Sequence, residues 1–133
     1  MACFWIGILQ RLDVNDFKRF ESKYGLCIID KSPQNFVRLL KNCAVKTPNI
    51  LWNDTKLSSK QLSENYHHII EYNPHTIGNG YDCSICDPFL ILICELFDVD
   101  IDHNYNGYLM KYRCLNSFKL IKFKSNTGHF EVA

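Results

Sequence analysis

Neither sign of charge is in excess: 15 Lys and Arg stand against 14 Asp and Glu, a net charge of +1. A domain that holds a polyanion through its electrostatic field is therefore not expected, and no nucleic-acid partner is assigned. Long apolar runs are also lacking. Stretches such as Phe89 to Cys94 fall far short of the roughly 20 residues a membrane-spanning helix needs, so no membrane partner is expected. The N-terminus carries no basic stretch ahead of its apolar residues, and no small-residue cleavage site follows them, so a secretory signal peptide is not expected. Internal repeats and low-complexity tracts are missing as well. The seven cysteines (Cys3, Cys27, Cys43, Cys83, Cys86, Cys94 and Cys114) are odd in number and irregular in spacing, which argues against a closed disulfide framework. Several sit among apolar neighbours, as buried free cysteine does. A reducing compartment, the cytoplasm, is the expectation.

What the chain does have is aromatic and apolar mass. Hydrophobic residues make up 47% and aromatics 14% of 133 residues. That suits a single domain over residues 1–133, able to bury roughly two thirds of the surface its unfolded chain exposes. The pattern predicts a short helix from Cys3 to Leu12, then a second with Asn15 or Asp16 as N-cap and Gly25 just past its end. Leu26 to Asp30 reads as a short strand. Ser32-Pro33 opens a third helix, with an apolar stripe at Phe36, Leu39, Leu40 and Cys43. Asn49 to Trp52 reads as extended. Ser59 opens a helix through Leu62, Tyr66, Ile69 and Ile70, and Asn73 to Gly80 reads as a loop. Asp87-Pro88 caps a helix to Phe97, apolar nearly all round and so expected at the centre. Strands follow at Val99–His103, Tyr108–Arg113, Phe118–Phe123 and Phe130–Val132, with a hairpin turn at Asn106-Gly107 and a second turn from Ser125 to Gly128. Helices in the first two thirds and strands in the last third predict an α+β domain: helices packed on a small, mostly antiparallel C-terminal sheet.

Thiol catalysis needs a thiolate, a base within hydrogen-bond reach and a group orienting that base. Cys3 opens an apolar helix, where unpaired N–H groups and the helix dipole favour the anion. His129 follows Gly128 and precedes a short strand. Residues two apart in a strand face the same side, so Glu131 points where His129 points and can accept a hydrogen bond from its ring. Each residue also has a plainer reading: Cys3 as buried packing, His129 as a turn residue at a strand edge, Glu131 as a solvated charge.

The segment Ala2-Cys3-Phe4-Trp5-Ile6-Gly7-Ile8-Leu9 resembles the nucleophile motif of ovarian-tumour (OTU) cysteine proteases. There the cysteine precedes two bulky residues and, one turn on, a small one; Phe4, Trp5 and Gly7 fit these slots. The C-terminal third is similar too, running from an apolar helix through a hairpin to a terminal Gly128-His129-Phe130-Glu131. The resemblance covers both ends of the chain and the order of elements; from about Asp13 to Asn79 no motif matches. It implies a papain/OTU-like fold and a thiol peptidase or isopeptidase that removes ubiquitin or a ubiquitin-like modifier, or cuts a viral polyprotein. Cys3 would be nucleophile, His129 base and Glu131 the third member. No cofactor or metal is implied, and a monomeric viral protein in the host cytoplasm is expected. Only Met1 and Ala2 precede Cys3, where the family usually carries an Asp-Gly-rich loop whose backbone helps bind the oxyanion. Neighbouring N–H groups supply that function, a preceding stretch is missing, or the domain is catalytically degenerate and binds ubiquitin or a host protein instead.

Other clusters have rival readings. Cys83-Ser84-Ile85-Cys86 is a CxxC that can supply half of a zinc site, with Cys94, Cys114, His75 or His103 as further ligands, in a small zinc-stabilised interaction module. It can also simply neighbour the cap at Asp87. His67 and His68 are adjacent in a helix and face different ways. Asp98, Asp100 and Asp102 alternate along a strand and suit either a hard cation or a solvated face. Lys119, Lys122 and Lys124 suit an acidic partner or, more commonly, serve as charges guarding a sheet edge.

Overall fold

The computed structural model describes residues 3–26, 31–79, 86–126 and 128–133, and for Cys3, Asn79 and Cys86 the backbone alone. Helix α1 (Cys3–Arg11) is followed by α2 (Val14–Tyr24) and α3 (Pro33–Asn42), then a hairpin of two short strands, β1 (Leu51–Trp52) and β2 (Thr55–Lys56). Helix α4 (Ser59–Glu71), a 3-10 turn at Pro74–Asn79 and α5 (Cys86–Phe97) precede β3 (Asp100–Tyr105), β4 (Tyr108–Arg113), β5 (Leu120–Ser125) and β6 (Phe130–Val132). Helices thus fill most of the first two thirds and strands the last third, an α+β arrangement.

Side-chain caps set the starts of α2, α3 and α4. The α2 N-cap is Asp13, earlier than the Asn15 or Asp16 the sequence suggested. Its carboxylate accepts from Asp16 N at 3.0 Å while Asp16 accepts from Asp13 N at 2.9 Å, and this reciprocal box fixes the start. Gly25 ends α2 at φ 67°, a left-handed conformation that glycine adopts without a Cβ penalty. Ser32 and Ser58 cap α3 and α4, each accepting from the backbone N–H three residues on. The expected strand at Leu26–Asp30 falls largely on residues outside those described.

The sheet order is β2-β1-β4-β3-β5-β6. All neighbours are antiparallel except β3 and β5, which run parallel. The β3–β4 turn uses Asn106 and Gly107 at φ 50° and 89°, the pair of positive φ values that a tight hairpin of this twist requires. From β4 the chain crosses the end of β3 and comes back on its far side. Phe118, expected to begin the strand, sits in this crossover: its N–H bonds Asp98 O at 2.8 Å and its ring lies under Arg19 at 4.1 Å. The β1–β2 hairpin extends the sheet beyond its C-terminal strands, through pairing of β1 with β4.

Helix α5 is the centre, as its composition required. Phe89 through Cys94, Leu96 and Phe97 are all buried. Trp5 sits among the rings of Phe4, Phe36, Tyr72 and Phe89, and Phe97 among those of Phe17, Phe20 and Phe36. Each such large ring removes 150–250 Å² or so from water, which is why aromatics dominate this core. Along β3, Ile101 and His103 turn inward, while Asp100 and Asp102 turn to the other face of the sheet.

Candidate active site

Helix α1 packs against β6, at one edge of the sheet, with its C-terminus beside the start of β5. Near the helix C-terminus Lys119 Nζ, just before β5, donates to Arg11 O at 2.7 Å. One turn from its start, Gly7 faces Phe123 and Phe130, and near the start itself Phe4 packs on Phe130 with ring centroids 4.7 Å apart. The N-terminus of α1 is therefore carried to the end of the sheet where β5 stops and β6 begins. The small residue at position 7 has a steric reason. A Cβ there would meet the Phe130 ring at 3.3 Å, tighter than ordinary packing.

At that end of the sheet a four-residue turn joins Ser125 to Phe130, which are partners in the β5–β6 ladder. Asn126 N bonds His129 O at 2.9 Å, and Gly128 N bonds Asn126 Oδ1 at 2.9 Å. Thr127 lies outside the described residues. Strand alternation sends Phe130 into the core against Phe4 and turns His129 and Glu131 to the opposite face. There His129 Nε2 is 3.4 Å from Glu131 Oε2, and Glu131 Oε1 is 3.2 Å from Lys124 Nζ. The Lys124 ammonium, and after it the His129 ring, hold the Glu131 carboxyl below the usual carboxylate range. The side chains of His129 and Glu131 are 56% and 47% exposed, so both are reachable from solvent. The Cys3 thiol lies outside the described side chains. The backbone brings the residue after Cys3 against the residue after His129, on the face opposite to the one His129 and Glu131 occupy.

Beside this pair is a cavity of 330 Å³ lined by Asn104, Asn106, Lys124, Ser125, Asn126 and His129, among others. Ser125 Oγ is 2.6 Å from Nε2 of His103, a histidine only 1% exposed. Burial pushes the His103 pKa down, and the nearby Asp87 carboxylate offsets only part of that, so the ring is neutral at pH 7. Its Nδ1 is buried without a partner.

No protein-family model, curated protein or solved structure matches the chain. The site therefore rests on its own geometry.

Of the three residues singled out from the sequence, His129 and Glu131 meet, and the backbone of Cys3 begins the helix that packs on their strand. The rival clusters are occupied otherwise. Lys119 does not guard an edge; it bridges Asp13 and Asp16 at the α2 cap. Asp98 pairs with Lys23 at 3.2 Å, Asp100 accepts from Cys114 N at 2.9 Å, and Asp102 pairs with Arg113 at 2.7 Å. Among the described residues no three His, Cys, Asp or Glu side chains converge in a metal-binding group. Cys83 and the Cys86 side chain lie outside them. His75 instead contacts Gln34 at 3.3 Å, and His103 holds Ser125. Ser125, the last residue of β5 and the partner of His103, carries no sequence signal of its own. The inward alternation Ile101, His103 was the available clue that His103 is buried.

Proposed function

We propose that the chain is a cysteine-dependent peptidase or isopeptidase of papain/OTU-like architecture that removes ubiquitin or a ubiquitin-like modifier in the cytoplasm of a virus-infected cell. The observation that supports this most is the docking of the two chain ends. The helix that begins at Cys3 packs on the strand that begins after His129, with Phe4 on Phe130. In this reading the first turn of α1 favours the Cys3 thiolate through its unpaired N–H groups. The thiolate adds to the carbonyl carbon of the scissile amide, and the resulting oxyanion is stabilised by nearby backbone N–H groups. Imidazolium at His129 then protonates the leaving amine, the C–N bond breaks, and a thioester remains. Water, deprotonated by the same imidazole, hydrolyses the thioester and restores the thiol. Glu131 orients the ring: its carboxylate is within 3.4 Å of Nε2 and stays ionised because Lys124 braces its other oxygen.

The test is covalent labelling. Ubiquitin carrying an electrophile in place of its C-terminal carboxylate is expected to form one adduct, mapped to Cys3, and none with Cys3→Ala or His129→Ala. An adduct at another cysteine, or one that survives Cys3→Ala, would overturn the reading. Unlabelled protein that still binds ubiquitin would assign the fold a non-catalytic binding role.

A further inference from the structure

Strand alternation gives the sheet two unlike faces. Ile101, His103, Tyr112, Ile121 and Phe123 turn towards the helices and are buried. The residues between them turn the other way, and each is exposed or half-buried, so that face is open among the described residues. At its centre the register sets Asp102 between two lysines, Lys111 on β4 and Lys122 on β5. Residues directly opposite on neighbouring strands share a face, so the three side chains emerge side by side. Neither lysine holds the carboxylate. Asp102 is taken by Arg113 Nη2 at 2.7 Å. Among the described residues no carboxylate lies in ion-pair reach of Lys111 or Lys122. Three cations thus surround one anion. The row on one side carries an exposed Leu109 and the row on the other an exposed Leu120.

We infer that this face docks an acidic polypeptide segment, whose carboxylates meet Lys111 and Lys122 and whose apolar side chains meet Leu109 and Leu120. The inference goes beyond the peptidase reading and does not depend on it. Charge complementarity selects the partner. The two free lysines are separated by two strand spacings, roughly 10 Å, which acidic residues three apart in an extended segment also span. Asp102 lies between the lysines and repels whatever negative charge passes over it. Discrete carboxylates can straddle that anion, whereas an unbroken phosphate backbone cannot, and the chain's net charge of +1 supplies no wider field for a polyanion. The two leucines add apolar area that suits side chains of a polypeptide.

The test is a titration of the full chain at low salt with the peptide acetyl-(Glu-Gly-Leu)4-amide, followed through backbone NMR signals. Saturable shifts are expected at Asp102, Leu109, Lys111, Leu120 and Lys122, with the signals of α2 and α4 unmoved. Lys111→Gln together with Lys122→Gln removes both free charges and adds no carboxylate beside Asp102, so the fold should persist, as a melting curve would verify. That double variant is expected to bind the peptide about tenfold more weakly, the loss of two exposed ion pairs. Added salt should weaken binding to the unaltered chain and leave the residual binding of the variant nearly constant. The counterpart acetyl-(Lys-Gly-Leu)4-amide is expected to leave the sheet signals in place. Sheet signals that do not move with the glutamate peptide, or a folded double variant that binds it undiminished, would overturn the docking face. Equal shifts with the lysine peptide would overturn its charge preference. Tighter binding of a twelve-residue oligothymidylate at the same residues would assign the face to nucleic acid and overturn the polypeptide partner.

Discussion

The His103 imidazole is 1% exposed and its pKa lies below the ordinary 6.5. The sign of the resulting pH dependence follows from linkage. The unfolded chain takes up a proton near pH 6.5 and the folded one only at lower pH, so the folded state loses stability as pH falls from about 6.5 towards the depressed value. Above 6.5 both states are neutral there and the residue contributes no slope. We expect urea denaturation to show stability falling by at most about 1.4 kcal/mol per pH unit from this group in that window, and His103→Gln to flatten it. An unchanged slope in His103→Gln would assign the loss to another group. Gly7 poses a steric question instead. Gly7→Val must displace the Phe130 ring from a contact already at 3.3 Å for a first carbon. A loss of about 1–3 kcal/mol by thermal denaturation is expected, with weaker ubiquitin-probe labelling because His129 directly precedes β6.

The elements that were legible in advance were those with a strong local signal. Ser32-Pro33 and Asp87-Pro88 announced α3 and α5, and Asn106-Gly107 announced the β3–β4 hairpin. The start of α2 was misplaced because Asn15 and Asp16 are also good caps, and only the reciprocal bonds between Asp13 and Asp16 decide among them. The strands β1 and β2 have two residues each, too few for any period to register. Lys119 was legible as a charge but not as a tie between elements. It reaches from the start of β5 to Arg11 O and to the Asp13–Asp16 box, where Arg19 also bonds Asp16 at 2.9 Å. Asp16 is 2% exposed, so its loss would leave two cations partly desolvated and a capping box broken. Asp16→Ala should cost about 3 kcal/mol, combining the two effects, whereas Asp13→Ala, at the exposed end of the same box, should cost about 1 kcal/mol. Equal losses in chemical denaturation would contradict this division.

For the whole molecule, the α+β layout followed from where the periods of 3.6 and 2 fall along the chain. The sheet's wiring did not. That β5 joins β3 in parallel, across the end from β4, depends on the crossover past Asp98 and leaves no mark in composition. The pairing of His129 with Glu131 was readable, since strand alternation alone predicts it. That Phe4 should find Phe130 was not derivable from local pattern, since the two lie at opposite ends of the chain.

Packing α1 on β6 has a consequence for biosynthesis. Translation is vectorial, and the ribosome releases Phe4, Trp5 and Ile8 long before it makes Phe123 and Phe130, the rings that cover this helix. Closing so long a loop is entropically late and slow. Until the last strand is out of the exit tunnel, the nascent polypeptide has a sticky greasy helix with nothing to cover it. The apolar face of α1 is thus buried only after β5 and β6 have been made.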